Sequence, residues 1–324
     1  MTKYVISGYI GFDNFGDEAI CGILTRHLKE IGAEKITVIS ADPEKTSRLY
    51  GVKSVPILEF FRPVIEADVL ISGGGSLLQD ITSLKSLLYY IAVIMAGIAF
   101  DKKVYIFAQG FAPFRTKIGR FLTKIILKRC SKITVRDINS QKMLEDMGIE
   151  SEVISDPVFA ENTDNTEHSG IGVQLRSFPT VTEEFLKGLA SAISEKFKGE
   201  KIKLFSFQDS SDWPVIRKFA EYLTANGNLI EIYKDLSVAE CINEVSKLEY
   251  LIAMRFHACL IAAKSGVKVL GINYDEKVKN LAQSIGFPII NMYGCEAANG
   301  IDNLIKENPE TYNIPEFSFP DFNK

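Results

Sequence analysis

The chain has 324 residues, 46% of them hydrophobic and 24% charged, with a formal net charge of −4 and a pI near 5.6. That apolar content can bury the cores of two domains or of one large one. The acidic balance argues against nucleic acid as the main partner, because phosphate binding needs a basic face. Cys21, Cys130, Cys241, Cys259 and Cys295 are scattered and form no CxxC pair; they predict a reducing compartment without a disulfide or zinc framework.

Strand and helix patterns alternate from the start. MTKYVISGY runs directly into a strand, so no signal peptide is expected. KYVISGY, KITVIS, DVLISGG, KVYIFAQG, KITVR and EVISD read as strands, with amphipathic helical runs over Asp17–Ile31, Leu84–Ala99 and Ile138–Met147 between them. SLLYYIAVIMAGIAF, at 86–100, is apolar but shorter than the roughly 20 residues a spanning helix needs. It reads as a helix buried against a sheet. AENTDNTEHSG, at 160–170, is polar and aperiodic and marks a linker. Beyond it GIGVQLR, KIKLFSF, NLIEIYK, YLIAMR and KVLGIN resume the alternation, with helices over Glu183–Phe197, Val215–Ala225, Val238–Leu248 and Lys277–Ile285.

This pattern predicts an α/β protein of two doubly wound, Rossmann-like domains with an interdomain cleft. The expected division is residues 1–160, a linker at 161–170, residues 171–310 and a tail at 311–324, which either packs back or stays loose. Ligands of open parallel sheets bind beyond the carboxyl ends of the strands, so the candidate residues are sought there.

GYIGFDNFGDEAI ends the first strand with glycines that bring backbone amides close to a ligand. It is neither a GxGxxG nor a P-loop sequence. Asp17 is either the cap of the following helix or a sugar-hydroxyl partner, and Asn14 fits an Asx-turn. GGGSLLQD places Gly74, Gly75, Ser76 and Gln79 before a helix whose first amides would meet an anion or sugar hydroxyl. The plainer reading is a tight turn capped by Ser76. Arg136 ends one strand, facing a cleft or a local carboxylate, and Arg176 ends another.

MRFH is more specific. Arg255 and His257 are two apart and would share one side of a strand, and Lys277 follows one βα unit later. Converging cations suggest a small, multiply anionic substrate, held by arginine forks and a lysine point charge. No metal-ligand spacing is visible, so neither a metal nor another cofactor is expected.

GFDNFGDEAI, GGGSLLQD, VRD, DPVF, GVQLR, MRFHACLIAAKSG and GINYDEKV occur in this order. Together they resemble the polysaccharide pyruvyl transferase family, and within it the CsaB-type enzymes, over most of the chain. The resemblance implies a glycosyltransferase-B-like (GT-B) fold. It also implies an enzyme that uses phosphoenolpyruvate to build a pyruvate ketal on a sugar, N-acetylmannosamine for the CsaB type, of a lipid-linked cell-wall precursor. It assigns Arg136, Arg255, Lys277 and, less directly, Arg176 to the donor, and His257 to acid/base catalysis with Arg255 beside it. Asn14, Asp17, Gly74, Gly75, Ser76 and Gln79 are left as acceptor candidates in the first domain. Phe256 and Glu276 stand where the family often has leucine and proline. A GT-B glycosyltransferase using a nucleotide sugar is the alternative, and a non-catalytic polymer-binding module is a third reading.

RTKIGRFLTKIILKRCSK, at 115–132, holds seven Lys or Arg residues and no acid. At helical spacing Lys117, Arg120, Lys124 and Lys128 form one stripe, with Ile118, Leu122, Ile125 and Ile126 on another face. The run is either a core-packed helix with a solvated basic face or a contact with anionic lipid. The second reading extends to the diphosphate of a lipid-linked acceptor; the expected location is cytoplasmic, and in that reading at the inner face of the membrane.

Overall fold

The computed structural model describes residues 2–81, 83–163, 167–292 and 296–322. The expected linker at 161–170 includes 164–166, which lie outside the described residues, as does Cys295. The chain divides into two units, one formed by Met1–Glu161 with Glu316–Lys324 and the other by Asn162–Pro315.

The first unit alternates β1 (Lys3–Ser7), α1 (Phe15–Glu30), β2 (Lys35–Ser40), α2 (Pro43–Tyr50), β3 (Lys53–Pro56), α3 (Phe61–Glu66), β4 (Val69–Gly73), α4 (Leu84–Ala99), β5 (Lys103–Gln109), α5 (Lys117–Leu127), β6 (Lys132–Val135), α6 (Ile138–Glu145) and β7 (Glu152–Val153). Its strands form one sheet in the order β3-β2-β1-β4-β5-β6-β7, parallel throughout. The central strands are buried on both faces, as helix-covered parallel strands must be. Gly97 lets α4 approach this sheet, because a Cβ there would lie 2.8 Å from Leu70 and 2.9 Å from Val104.

The second unit contains β8 (Ile171–Gln174), α7 (Glu183–Lys196), β9 (Lys201–Phe205), α8 (Asp209–Ala225), β10 (Leu229–Tyr233), α9 (Val238–Ser246), β11 (Tyr250–Ala253), α10 (Phe256–Lys264), β12 (Lys268–Asn273), α11 (Glu276–Ile285), β13 (Ile289–Asn291) and α12 (Ala297–Lys306). Its six parallel strands run β10-β9-β8-β11-β12-β13. Both sheets thus share the doubly wound order, with the reversal between β1 and β4 in one and between β8 and β11 in the other. The α/β class with two doubly wound, Rossmann-like units expected from the alternation is the one found.

Several local expectations need correction. Asn14, not Asp17, caps α1, accepting from the Gly16 amide at 3.3 Å, and Asp17 is the third helical residue. No helix follows the triple glycine, since α4 begins at Leu84 with Ser83 as its cap. Gly74 and Gly75 both take positive φ. The Gly74 amide donates to the Phe107 carbonyl, and the Gly75 carbonyl accepts from the Gly110 amide, both at 2.8 Å. That loop is therefore pinned to the end of β5 rather than started as a helix. β11 stops at Ala253, so Arg255 is the cap residue of α10 and His257 lies in its first turn; strand alternation does not apply to them. On α5 only Ile126 of the expected apolar face is fully buried, while Ile118 and Ile125 are exposed.

The C-terminal segment packs on the first unit. Phe322 is 1% exposed, with its ring edge-on to Tyr105 and Phe107 at 5.6 Å. Phe319 stacks on His27 at 3.6 Å. Phe322→Ala is expected to destabilise the protein by about 3–5 kcal/mol, the usual cost of emptying a buried aromatic site. Denaturant unfolding measures it, and a loss within experimental scatter would show that the tail is not part of this core.

Candidate functional site

In the second unit, three adjacent strands, β8, β11 and β12, deliver their carboxyl ends to one place. After β8 the side chain of Gln174 is buried, with its Nε2 donating to Asp212 at 3.0 Å and its Oε1 accepting from the Arg255 amide at 2.8 Å. Asp212 is fully buried. It also accepts from the amides of Phe207 and Gln208 at 2.9 and 3.1 Å, in the turn between β9 and α8. Arg255 completes this network. Its Nε donates to both carboxylate oxygens of Asp212, at 2.8 and 3.1 Å. Its Nη2 donates to Asp212, to Ser211 Oγ at 2.6 Å and to Gln208 Oε1 at 3.2 Å. Burying a charge is costly unless it is paired and hydrogen-bonded, and here both charges are.

Arg176 sits beside it. Its backbone amide donates to Met254 Sδ at 3.3 Å, its Nη1 donates to Tyr274 Oη at 3.2 Å, and its guanidinium lies 5.3 Å from the Tyr274 ring centre. Arg176 Nε is buried and has no hydrogen-bond partner among the described residues. Burial pushes the Tyr274 hydroxyl above its ordinary pKa, and Arg176 offsets part of that rise. Tyr274 is therefore a neutral hydroxyl set between cations.

His257 is the second residue of α10 and half-buried, its ring edge-on to Phe256 at 5.0 Å. The Arg255 side chain makes no cap bond to α10, and no acid stands in that first turn. The start of α10 is the positive end of its helix dipole. Lys277 is the second residue of α11, its amide donating at 3.0 Å to Asp275, which caps that helix.

The first unit gathers a different set. Asp17 lies against Gly75, where an added Cβ would be 2.5 Å from the carboxylate oxygen. Arg136 and Ser76 meet over Gly110, where a Cβ would lie 2.7 Å from Arg136 Nε and 2.9 Å from Ser76 Oγ. Arg136 Nη1 donates to Asp156 at 3.2 Å, and both side chains are buried. Ser76 Oγ is buried without a hydrogen-bond partner among the described residues. Asn14 and Gln79 are engaged locally, Asn14 as the cap and Gln79 by accepting from the Ile81 amide at 2.7 Å. Asp17, Gly75, Ser76 and Arg136 therefore share one group of strand ends.

Sequence reading missed Asp212, Gln174 and Tyr274. The usable signal for Asp212 was an acid just before Trp213-Pro214, but the proline suggested a helix starting after it, whereas α8 begins at Asp209. Pro214 is the sixth residue of α8 and lies inside the helix, where it removes one intrahelical hydrogen bond. The cysteines among the described residues are poor nucleophiles: burial raises the Cys21 and Cys241 thiols and pushes those of Cys130 and Cys259 up to about 12.

The model of the polysaccharide pyruvyl transferase family matches residues 14–276. No curated protein matches the chain by sequence. Among solved structures, UDP-GlcNAc 2-epimerase from Methanocaldococcus jannaschii aligns with a TM-score of 0.68 at 12% identity, covering 98% of this chain and 96% of that one. The Neisseria meningitidis UDP-GlcNAc 2-epimerase bound to UDP-GlcNAc gives 0.62 at 13%, over 94% and 95% of the two chains. A glycosyltransferase from Rickettsia africae gives 0.61 at 13%, over 94% and 88%. At these identities the likeness is one of fold.

Removing the Asp212 carboxylate would strand Arg255 in a buried position. Asp212→Ala is expected to lower stability by about 3–5 kcal/mol, as for other broken buried pairs, whereas Lys234→Ala on the exposed surface should change it by under about 0.5 kcal/mol. Equal unfolding midpoints for the two variants would show that the pair carries no stability.

Proposed function

The chain belongs to the polysaccharide pyruvyl transferase family, and on that premise we propose that it transfers the pyruvyl group of phosphoenolpyruvate to two hydroxyls of one sugar. The acceptor in this reading is N-acetylmannosamine in a lipid-linked cell-wall precursor, as in the CsaB type, and inorganic phosphate is released. The observation that carries the proposal is the gathering of Arg176, Arg255, His257, Tyr274 and Lys277 at the ends of β8, β11 and β12. Phosphoenolpyruvate bears a carboxylate and a phosphate, and guanidinium forks match both.

The chemistry requires a proton at the methylene carbon and attack of one sugar hydroxyl on the central carbon. The second hydroxyl then displaces phosphate, and its proton leaves through a base. His257 is the proton carrier in this scheme. Arg255, fixed by Asp212, and Arg176, with its buried Nε, hold the donor and stabilise the leaving phosphate. Lys277 supplies a further charge at the start of α11. Arg136 is proposed to contact the donor as well, and Asp17, Gly75 and Ser76 to meet the acceptor hydroxyls. No cofactor enters this scheme.

The deciding experiment incubates the protein with phosphoenolpyruvate and a panel of lipid-linked disaccharides while phosphate is measured. Phosphate release that needs both substrates supports the reading. Nucleotide release from a nucleotide sugar, with phosphoenolpyruvate untouched, would replace it with glycosyl transfer.

Two substitutions separate binding from chemistry. His257→Ala should reduce turnover by about 100- to 10,000-fold with little change in phosphoenolpyruvate affinity by calorimetry. Lys277→Ala should instead weaken that affinity by roughly 1.5–3 kcal/mol, the range for a hydrogen bond to a charged group. Arg136→Ala is the poorer probe, because it also strands buried Asp156. Normal turnover in the histidine variant, or unchanged affinity in the lysine variant, would remove that residue from the scheme.

A further inference from the structure

We infer that the α4–α5 face of the first unit is a docking surface for anionic lipid membrane. The helix α5 turns Gly119, Thr123, Ile126 and Leu127 inward. On its outer side Ile118 is 66% exposed, Phe121 61% and Ile125 43%. The residues at 117, 120, 124 and 128 form the basic stripe next to them. Arg120 Nη2 donates to the Asp146 carbonyl at the end of α6, at 3.1 Å, so the basic stripe runs along the α6 side. The apolar stripe therefore runs along the α4 side.

The neighbouring part of α4 continues the same character. Gly119 lies against Leu87, and Arg115 Nη1 donates to the Ile81 carbonyl at 3.4 Å, which sets the start of α5 beside the start of α4. There Ile81, Leu84 and Leu88 are exposed. An apolar patch of this kind, rimmed by charge, marks an interaction site more than ordinary surface.

The charge pattern selects the occupant. A basic stripe flanking an apolar one suits the boundary between headgroups and acyl chains, with Phe121, Ile118 and Leu84 inserted and the lysines at the anionic headgroups. A second copy docked about a two-fold axis would set this patch against itself and oppose its basic stripe to another. An acidic peptide would answer the lysines but leave the apolar stripe wet. No helix among the described residues is long and apolar enough to cross a membrane, so the contact is peripheral.

Co-sedimentation tests this with vesicles of phosphatidylcholine alone and of phosphatidylcholine with phosphatidylglycerol. The protein is expected to bind the anionic vesicles at low salt, to ignore the neutral ones, and to release as salt shortens the screening length. Lys117→Glu with Lys124→Glu should weaken binding by at least about 10-fold. Ile118→Ser with Phe121→Ser should weaken it to a similar extent, about 10-fold, while leaving the salt dependence in place. All four positions are at the surface, and thermal melts confirm that the variants fold; if the apolar pair does not, the charge pair decides alone. No sedimentation at low salt, or binding indifferent to both pairs, overturns the inference. So does a dimer in light scattering that Phe121→Ser dissociates, and so does retention on a soluble acidic peptide without retention on vesicles.

Discussion

The second unit is organised around one buried ion pair. Asp212 reaches back from the first turn of α8 and accepts hydrogen bonds from the β9–α8 turn, from Gln174 after β8 and from Arg255 after β11. These three segments come from neighbouring strands of the sheet. A carboxylate and a guanidinium out of water repel no solvent cheaply, and the pair holds only because nearly every lone pair and N–H of the carboxylate face is used. The consequence for chemistry is positional. Arg255 loses its side-chain freedom on folding, so under the proposed donor binding little further ordering entropy would be lost.

The first unit uses the same device with different surroundings. Arg136 at the end of β6 is paired with buried Asp156, and the absence of a side chain at Gly110 lets the backbone lie against the guanidinium. Around it stand a hydroxyl and a carboxylate, Ser76 and Asp17, in place of further cations. With the strand order shared, the two units therefore differ in what their strand ends offer: one collects positive charge, the other neutral and acidic oxygens.

Much of this was readable before any coordinates. Apolar strands alternating with amphipathic helices fixed the class, because parallel strands buried on both faces need nearly continuous apolar runs. The strand-end arginines and His257 stood out as polar residues closing such runs. What failed were local conformations decided by distant backbone. Gly74 and Gly75 start no helix because Phe107 and Gly110, on another strand, take their hydrogen bonds. Asp212 was hidden because its partners lie 38 and 43 positions away, a pairing that no local period encodes. On α5, a 3.6-residue period separated the basic stripe from the apolar residues but could not tell which of the apolar ones met the core: Ile126 does, with Leu127, Thr123 and Gly119, and Ile118 and Ile125 do not.

That last failure has a physical reason with a functional side. A helix approaches its neighbours closely where its residues are small, so Gly119 can rest against Leu87 of α4 and the carboxylate of Asp80. Asp80 itself ties the entry to α5, accepting from the Arg115 and Thr116 amides and the Thr116 hydroxyl. Burial alone would raise the Asp80 pKa, but these hydrogen bonds outweigh it and hold the carboxyl below its ordinary value. The anchored start sets Gly119, Thr123, Ile126 and Leu127 inward and leaves Ile118, Phe121 and Ile125 outward. Leaving Ile118, Phe121 and Ile125 partly exposed forgoes a part of the roughly 1.5–3 kcal/mol that full burial of each would contribute. On the proposal that this face docks on lipid, that loss would be recovered when the acyl phase covered the stripe.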